Sequence, residues 1–245
     1  MAAATGLLVN MHIASQPLQN PRRSEKMRPA MPNVDPNRQS LAFLRGFFQK
    51  PNQVASVVPS SRFVEQRIVD MAGIAKARVV VELGPGTGGT TRALLAALPR
   101  DARLLAIEIN SRFVQLLRGS VEDERLLVHE GTAQELPDLV TKYGLPGVDA
   151  VVSGIPFSVI PPAVGREIIS SVWSALSPTG CFLAYQIRSA VHDVAKPILG
   201  PAHDRELEVR NLPPTRIYCW WKNGQKNGHH GNGSVHARSN SHHLR

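Results

Sequence analysis

The chain is short of the residues that would commit it to several common designs. It has 2 cysteines in 245 residues. Cys181 and Cys219 lie far apart and show no C-x-x-C or metal spacing. That excludes a disulfide scaffold and fits a reduced cytosolic protein. No apolar run approaches the roughly 20 residues of a membrane span. GLLV near the start is too short for a signal-peptide core, and no cleavage site follows it. Acids are scarce where bases gather. Arg22, Arg23, Lys26, Arg28, Arg38, Arg45 and Lys50 are set against only Glu25 and Asp35, and Lys222, Lys226, Arg238 and Arg245 against no acid at all. The formal net charge of +9 is therefore a property of the flanks, while the middle is nearly balanced. A basic chain usually has an anionic partner, but a neutral body argues against a nucleic-acid groove built into it.

What remains is enough for one folded domain. The apolar share of 42% is that of a globular protein. Residues 1–37 mix Pro, Asn, Arg and Ser without a period and are expected to be a disordered extension. Their Arg-bearing, acid-poor start also fits an organelle transit peptide, and Met27 and Met31 offer alternative starts. Residues 223–245 form a His/Asn/Gly-rich tail. No acid or cysteine joins its histidines, so a solvated tail is expected rather than a metal site.

Between the tails, over 38–222, strand and helix alternate. RVVVEL (78–83), RLLAIEI (103–109), LLVHEG (126–131), GVDAVVSG (147–154), CFLAYQI (181–187) and RIYCWW (216–221) read as strands. TTRALLAAL (90–98), SRFVQLLRG (111–119) and VGREIISSVWSAL (164–176) read as helices, the last closed by Ser-Pro-Thr-Gly. Repeated βα units predict an α/β fold, a mostly parallel sheet covered by helices on both faces. Ligands of such sheets bind at the carboxyl ends of the strands.

VVVELGPGTGGTTRALL (79–95) places Gly84, Gly86 and Gly88 between the first strand and its helix. Glycines let a backbone turn tightly and approach a ligand closely. Alone, they also fit a nicotinamide dinucleotide site or a plain turn. Glu82 precedes the loop, Pro85 stiffens it, no P-loop lysine follows, and Glu108 ends the second strand. A carboxylate there can accept hydrogen bonds from both hydroxyls of a ribose. With these residues the sequence resembles the class I S-adenosylmethionine-dependent methyltransferases, ELGPGTG matching their first motif and IEIN their second. The resemblance implies a seven-stranded Rossmann-like sheet and S-adenosyl-L-methionine as cofactor. Glu82, Gly84, Pro85, Gly86, Thr87 and Gly88 would line its amino-acid end, and Glu108 and Ile109 its ribose. Thr132 and Ala133, in GTAQEL (131–136), would meet its adenine, with Thr132 standing where the family usually has Asp. Ser153 would close the site.

The methyl acceptor is read from VVSGIPF (151–157). Adenine-N6 methylases use an Asn or Asp before Pro, followed by an aromatic ring that stacks on the flipped base. Here Ser153, Gly154 and Ile155 occupy the turn and the Asn is missing. Phe157 could stack on a base, or could be a core ring at the strand end.

Upstream, SLAFLRGFFQKP (40–51) starts at a capping Ser and stops before Pro51. A helix over 38–50 would gather Leu41, Leu44, Phe47 and Phe48 on one side, with Arg45 and Lys50 elsewhere around it. Such a helix suits an anionic membrane interface, or packs as an ordinary helix on the sheet. FLRGFF, VVPSSR (57–62), SGIPF (153–157) and NLPP (211–214) together resemble the bacterial phospholipid N-methyltransferases, over about residues 40–222. That resemblance implies a peripheral enzyme at the cytoplasmic membrane that methylates phosphatidylethanolamine toward phosphatidylcholine, without an obligate protein partner. Relatives methylate ornithine lipids, and the motifs do not separate the two.

Ser60, Ser61 and Arg62 could hold a phosphate, or could simply cap the helix that follows. Pro156 and Phe157 would floor a headgroup pocket. Tyr185 could place its hydroxyl in the cleft or be a buried strand aromatic, and Arg188 could meet a phosphate or be a surface cation. The expected function is amino-lipid N-methylation, with Ser153, Gly154, Ile155 and Tyr185 at the reacting amine. RNA adenine methylation and a non-catalytic lipid-binding domain are the alternatives.

Overall fold

The computed structural model describes residues 60–224. Within them seven strands form one sheet: β1 (Val79–Leu83), β2 (Arg103–Glu108), β3 (Leu126–Glu130), β4 (Val148–Ser153), β5 (Leu176–Gln186), β6 (Asp204–Glu208) and β7 (Thr215–Trp221). Six α-helices join them: α1 (Arg62–Met71), α2 (Gly89–Ala97), α3 (Ser111–Ser120), α4 (Leu136–Lys142), α5 (Pro162–Ala175) and α6 (Ala190–Leu199).

The strand order is β3-β2-β1-β4-β5-β7-β6. β1 to β5 are parallel, and β7 runs antiparallel between β5 and β6. β1 is VVVEL and is buried along its whole length. A strand with helices over both faces has no solvent side, so it reads as a continuous apolar run. Its alternate side chains enter two cores. Val79, Val81 and Leu83 join Phe157, Ile168, Phe182 and Trp220 on one face. Val80 joins Ile68, Leu94, Leu104, Val152 and Leu183 on the other. Glu82 follows the parity of Val80, so its carboxyl points under α1 and α2. Asp149 fixes the start of β1, its Oδ2 accepting from the Arg78 and Val79 N–H groups at 2.8 and 3.0 Å.

Within the described residues every strand and helix read from the sequence is present, with one correction and three additions. Ser-Pro-Thr-Gly (177–180) does not break the chain after α5; it lies inside β5, and a register shift against β4 accommodates it. α4, α6 and β6 carry weak patterns. α4 has 7 residues, α6 holds Pro197 inside it, and β6 is DRELE, an edge strand of charges. The expected extension (1–37), the helix with Leu41, Leu44, Arg45, Phe47, Phe48 and Lys50, and most of the tail lie outside the described residues.

The sheet order reverses between β1 and β4. A crevice opens where the connections from adjacent strands diverge, above their carboxyl ends.

Candidate active site

Leu83 and Ser153 stand side by side at the ends of β1 and β4. The chain leaves both strands through glycine, and the two exits are tied to the sheet. Gly84 N–H donates to the Ile107 carbonyl and Gly154 N–H to the Leu83 carbonyl, each at 2.9 Å. Gly84, Gly86 and Gly88 have φ of 71, 55 and 84°. These are left-handed values that a side chain strains, so the three glycines are what this backbone path requires.

Glu108 ends β2 over this loop. Its Oε2 accepts from Gly86 N–H at 3.1 Å and its Oε1 from Asn110 N–H at 2.9 Å. Burial pushes its carboxyl up, and the backbone donors partly offset that. Ile109 N–H is a third backbone donor to it, which leaves the carboxylate acceptor capacity for a hydroxyl donor. Glu82 is fully buried; its Oε2 accepts from Thr91 Oγ1–H at 2.6 Å. Its Oε1 has no hydrogen-bond partner. Desolvation, with the nearby Glu108 and Glu65 carboxyls, pushes Glu82 up to about 8. It is therefore largely protonated at neutral pH. A cation brought beside it would be met by a carboxylate with a vacant acceptor. Positive-φ glycines, an orphaned buried carboxyl oxygen and a second carboxylate on a strand end form a donor set that fits a nucleoside with a cationic amino-acid tail.

Beyond β4, the Ser153–Phe157 turn is held from several sides. Ser153 is buried and its Oγ accepts from Ile155 N–H at 3.3 Å. The Pro156 carbonyl accepts from Val159 N–H at 3.1 Å. Gln186 Nε2 donates to the Ile155 carbonyl at 2.6 Å, while its Oε1 accepts from Val191 N–H at 3.4 Å. The sequence reading missed Gln186. A buried amide ending the apolar run CFLAYQI was the available signal.

Tyr185, the residue before it, reaches the cleft. Its hydroxyl lies 3.1 Å from Thr90 Oγ1 and is also hydrogen-bonded to Ser60. Burial and the Glu82 carboxyl hold this hydroxyl above the ordinary tyrosine range, so it stays neutral. A Cβ on Gly154 would stand 2.6 Å from the Tyr185 hydroxyl oxygen and 3.2 Å from the Gly84 carbonyl oxygen. The turn passes Tyr185 where no side chain fits.

The structure thus brings Glu82, the Gly84–Gly88 loop, Glu108, Ser153, Gly154, Ile155, Tyr185 and Ser60 to one edge of the sheet. Other expected site residues have different surroundings. The Phe157 ring is 3% exposed and packs against Gly165 in the core, which leaves it no open face for stacking. Thr132 Oγ1 and N–H both donate to Glu135 Oε1, at 3.0 and 2.9 Å, so this side chain builds the turn beside buried Ala133. Ser61 stands at the N-cap of α1 but makes no side-chain cap. Its N–H instead donates to Asn211 Oδ1 at 2.9 Å. Arg62 is exposed and lies over the Phe63 ring. Arg188 is exposed just past β5. Pro85 is buried, whereas Thr87, Ile109 and Pro156 are half-buried.

A family model described as ribosomal RNA adenine dimethylase matches residues 58–136. An ornithine lipid N-methyltransferase of Singulisphaera acidiphila is 31% identical over 177 residues, which is 72% of this chain and 92% of that protein. A ribosomal RNA small subunit methyltransferase A of Caulobacter vibrioides is 36% identical over 137 residues, but these are 55% of this chain and 49% of that protein. The chain therefore spans only about half the length of the ribosomal RNA relative. Among solved structures, an O-methyltransferase of Bacillus cereus in complex with SAH superposes with a TM-score of 0.57 at 14% identity, covering 78% of this chain and 94% of that one. The protein is an enzyme that uses S-adenosylmethionine. The chain belongs to the class I S-adenosylmethionine-dependent methyltransferases, in the family of the Singulisphaera ornithine lipid N-methyltransferase.

Proposed function

We propose that the chain methylates the primary amine of a membrane-lipid headgroup. The observation that carries this reading is the acceptor turn. Ser153–Phe157 offers neither a side-chain amide nor an exposed ring, the two features a flipped adenine requires. The coverage of the relatives supports the same choice, since the lipid enzyme matches over nearly its whole length and the ribosomal RNA enzyme over half. Between lipids, an ornithine headgroup is favoured by the Singulisphaera relative. Phosphatidylethanolamine, leading toward phosphatidylcholine, is the headgroup suggested by the motifs.

The residues take roles as follows. The Gly84–Gly88 loop and Glu82 receive the amino-acid end of the cofactor, Glu82 Oε1 facing its ammonium. Glu108 and Ile109 hold the ribose, and the backbone at Thr132 and Ala133 the adenine. Bound there, the cofactor supplies an already activated sulfonium methyl. The protein's own task is to place a neutral amine in line with it. An aliphatic ammonium has a free pKa near about 10, so the site must favour the deprotonated form. Of the turn's carbonyls, Ile155 is engaged by Gln186 and Pro156 by Val159, and that of Gly154, whose Cα lies against Tyr185, is assigned to the amine. The neutral Tyr185 hydroxyl beside it accepts a second N–H. Tyr185 is thus a hydrogen-bonding partner for the amine rather than an ionised base.

Expression of the full chain in a bacterium lacking methylated amino-lipids, followed by lipid mass spectrometry, tests the proposal. Mono-, di- or trimethylated ornithine lipid or phosphatidylethanolamine is expected. Unchanged lipids alongside newly dimethylated ribosomal RNA would refute it.

A further inference from the structure

The β6–β7 hairpin is built unlike the rest of the sheet. Its loop, residues 209–214, reads VRNLPP. Val209 is 67% exposed and Leu212 86%. Isolated exposed apolar residues are ordinary on a protein surface. These two differ because the loop that presents them is held firmly from below. Asn211 is buried; its Nδ2 donates to the Pro213 carbonyl at 2.9 Å and to Thr215 Oγ1 at 2.8 Å, while its Oδ1 accepts from Ser61 N–H. The Glu208 side chain is almost fully covered and accepts from Arg67 Nε at 2.6 Å and from Arg210 Nε at 2.8 Å. Arg67 also pairs with Glu206, and Arg210 lies over the Phe63 ring at 3.9 Å. The polar groups of the loop are satisfied inward, and its aliphatic side chains are left outward.

The position of the hairpin matters as much as its composition. Arg216 at the start of β7 pairs with Gln186 at the end of β5, so the hairpin projects from the edge that carries the cleft. Ser61 joins it to residues beside Tyr185. Exposed cations lie on the adjoining segments: Arg62, which shares the Phe63 ring with Arg210, Arg188 just past β5, and Arg216 at the start of β7; Arg188 and Arg216 make no ion pair among the described residues. Aliphatic tips on a firmly held loop, with exposed arginines on the adjoining segments, complement an anionic bilayer, where apolar groups enter the interface and cations meet headgroup phosphates.

We propose that residues 209–214 form a membrane finger, which inserts Val209 and Leu212 into an anionic lipid surface and so sets the cleft against its substrate. The inference rests on the lipid reading above for its purpose, but it is tested separately, because vesicle contact is measured without methyl transfer.

The chain's 2 cysteines are both buried, so Leu212→Cys in the full chain gives a single exposed thiol among the described residues for a polarity-sensitive fluorophore. Leu116→Cys on α3, at the other end of the sheet, is the control. Vesicles of phosphatidylglycerol and phosphatidylethanolamine carrying nitroxide lipids are expected to blue-shift the label at 212 and remove about half or more of its emission, leaving the label at 116 unchanged. Sedimentation confirms that the labelled protein is bound. A bound protein whose label at 212 neither shifts nor is quenched would overturn the proposal. So would a label already blue-shifted before vesicles are added and unaltered by them, which would mean that another part of the chain covers the hairpin. A response to ribosomal RNA in place of vesicles would also overturn it.

Discussion

Glu82 concentrates the chemistry of the site in one side chain. It follows three valines near the end of β1, lies wholly out of water, and is pushed up to about 8. In an unfolded chain the same carboxyl titrates near the ordinary value of 4.5. Between those values the folded state holds a proton that the unfolded state has released, so its contribution to stability falls as pH rises through that window. Glu82→Gln removes the titration and keeps an acceptor for Thr91. Its melting temperature should exceed the wild type's at pH 8 and approach it at pH 5, the stability difference at pH 8 being on the order of a few kcal/mol. Cofactor binding provides the converse. If the ammonium docks at Oε1, ionised Glu82 binds best, and calorimetric affinity should rise from pH 6 toward pH 8 in the wild type and stay flat in Glu82→Gln. A wild-type affinity without that slope would separate Glu82 from the ammonium.

At the scale of elements, the acceptor turn depends on its neighbours. β4 delivers Ser153 and Gly154, β5 delivers Tyr185 and Gln186, and the Gln186 amide locks the Ile155 carbonyl. A small displacement of a reacting group costs about 100-fold in rate. Gln186→Leu is therefore predicted to lower kcat by about 10- to 100-fold while cofactor affinity stays within about twofold. Equal losses in both would mean a general structural fault instead of a mispositioned turn.

This turn also marks how far the sequence could be read. The glycine loop and Glu108 were legible because their chemistry is local: a strand, three glycines, and an acid one βα unit later. Tyr185 could be placed on its strand but not at Gly154, because that contact joins residues that only the sheet register brings together. Phe157 gave the same local signal as a stacking ring; its burial is decided by Gly165 on α5, which admits the ring. α4, α6 and β6 escaped because shortness, an internal proline and edge charge each erase the period that hydrophobic packing imposes.

As a whole molecule, the protein is a mostly parallel sheet whose cleft edge also carries an apolar-tipped hairpin with exposed arginines on the adjoining segments. No helix among the described residues is long and apolar enough to cross a membrane, and the proposed finger would set the cleft edge against the bilayer surface. The basic flanks, Arg22 to Lys50 and Lys222 to Arg245, add a charge that would strengthen such contact at low salt and weaken it as screening increases. The most direct test gives the purified full chain one labelled methyl donor and two competing acceptors, vesicles containing ornithine lipid and phosphatidylethanolamine, and unmethylated small ribosomal subunits. The account predicts that label accumulates in the lipid fraction as N-methylated headgroup. Label confined to adenine of the ribosomal RNA, with none in lipid, would contradict it.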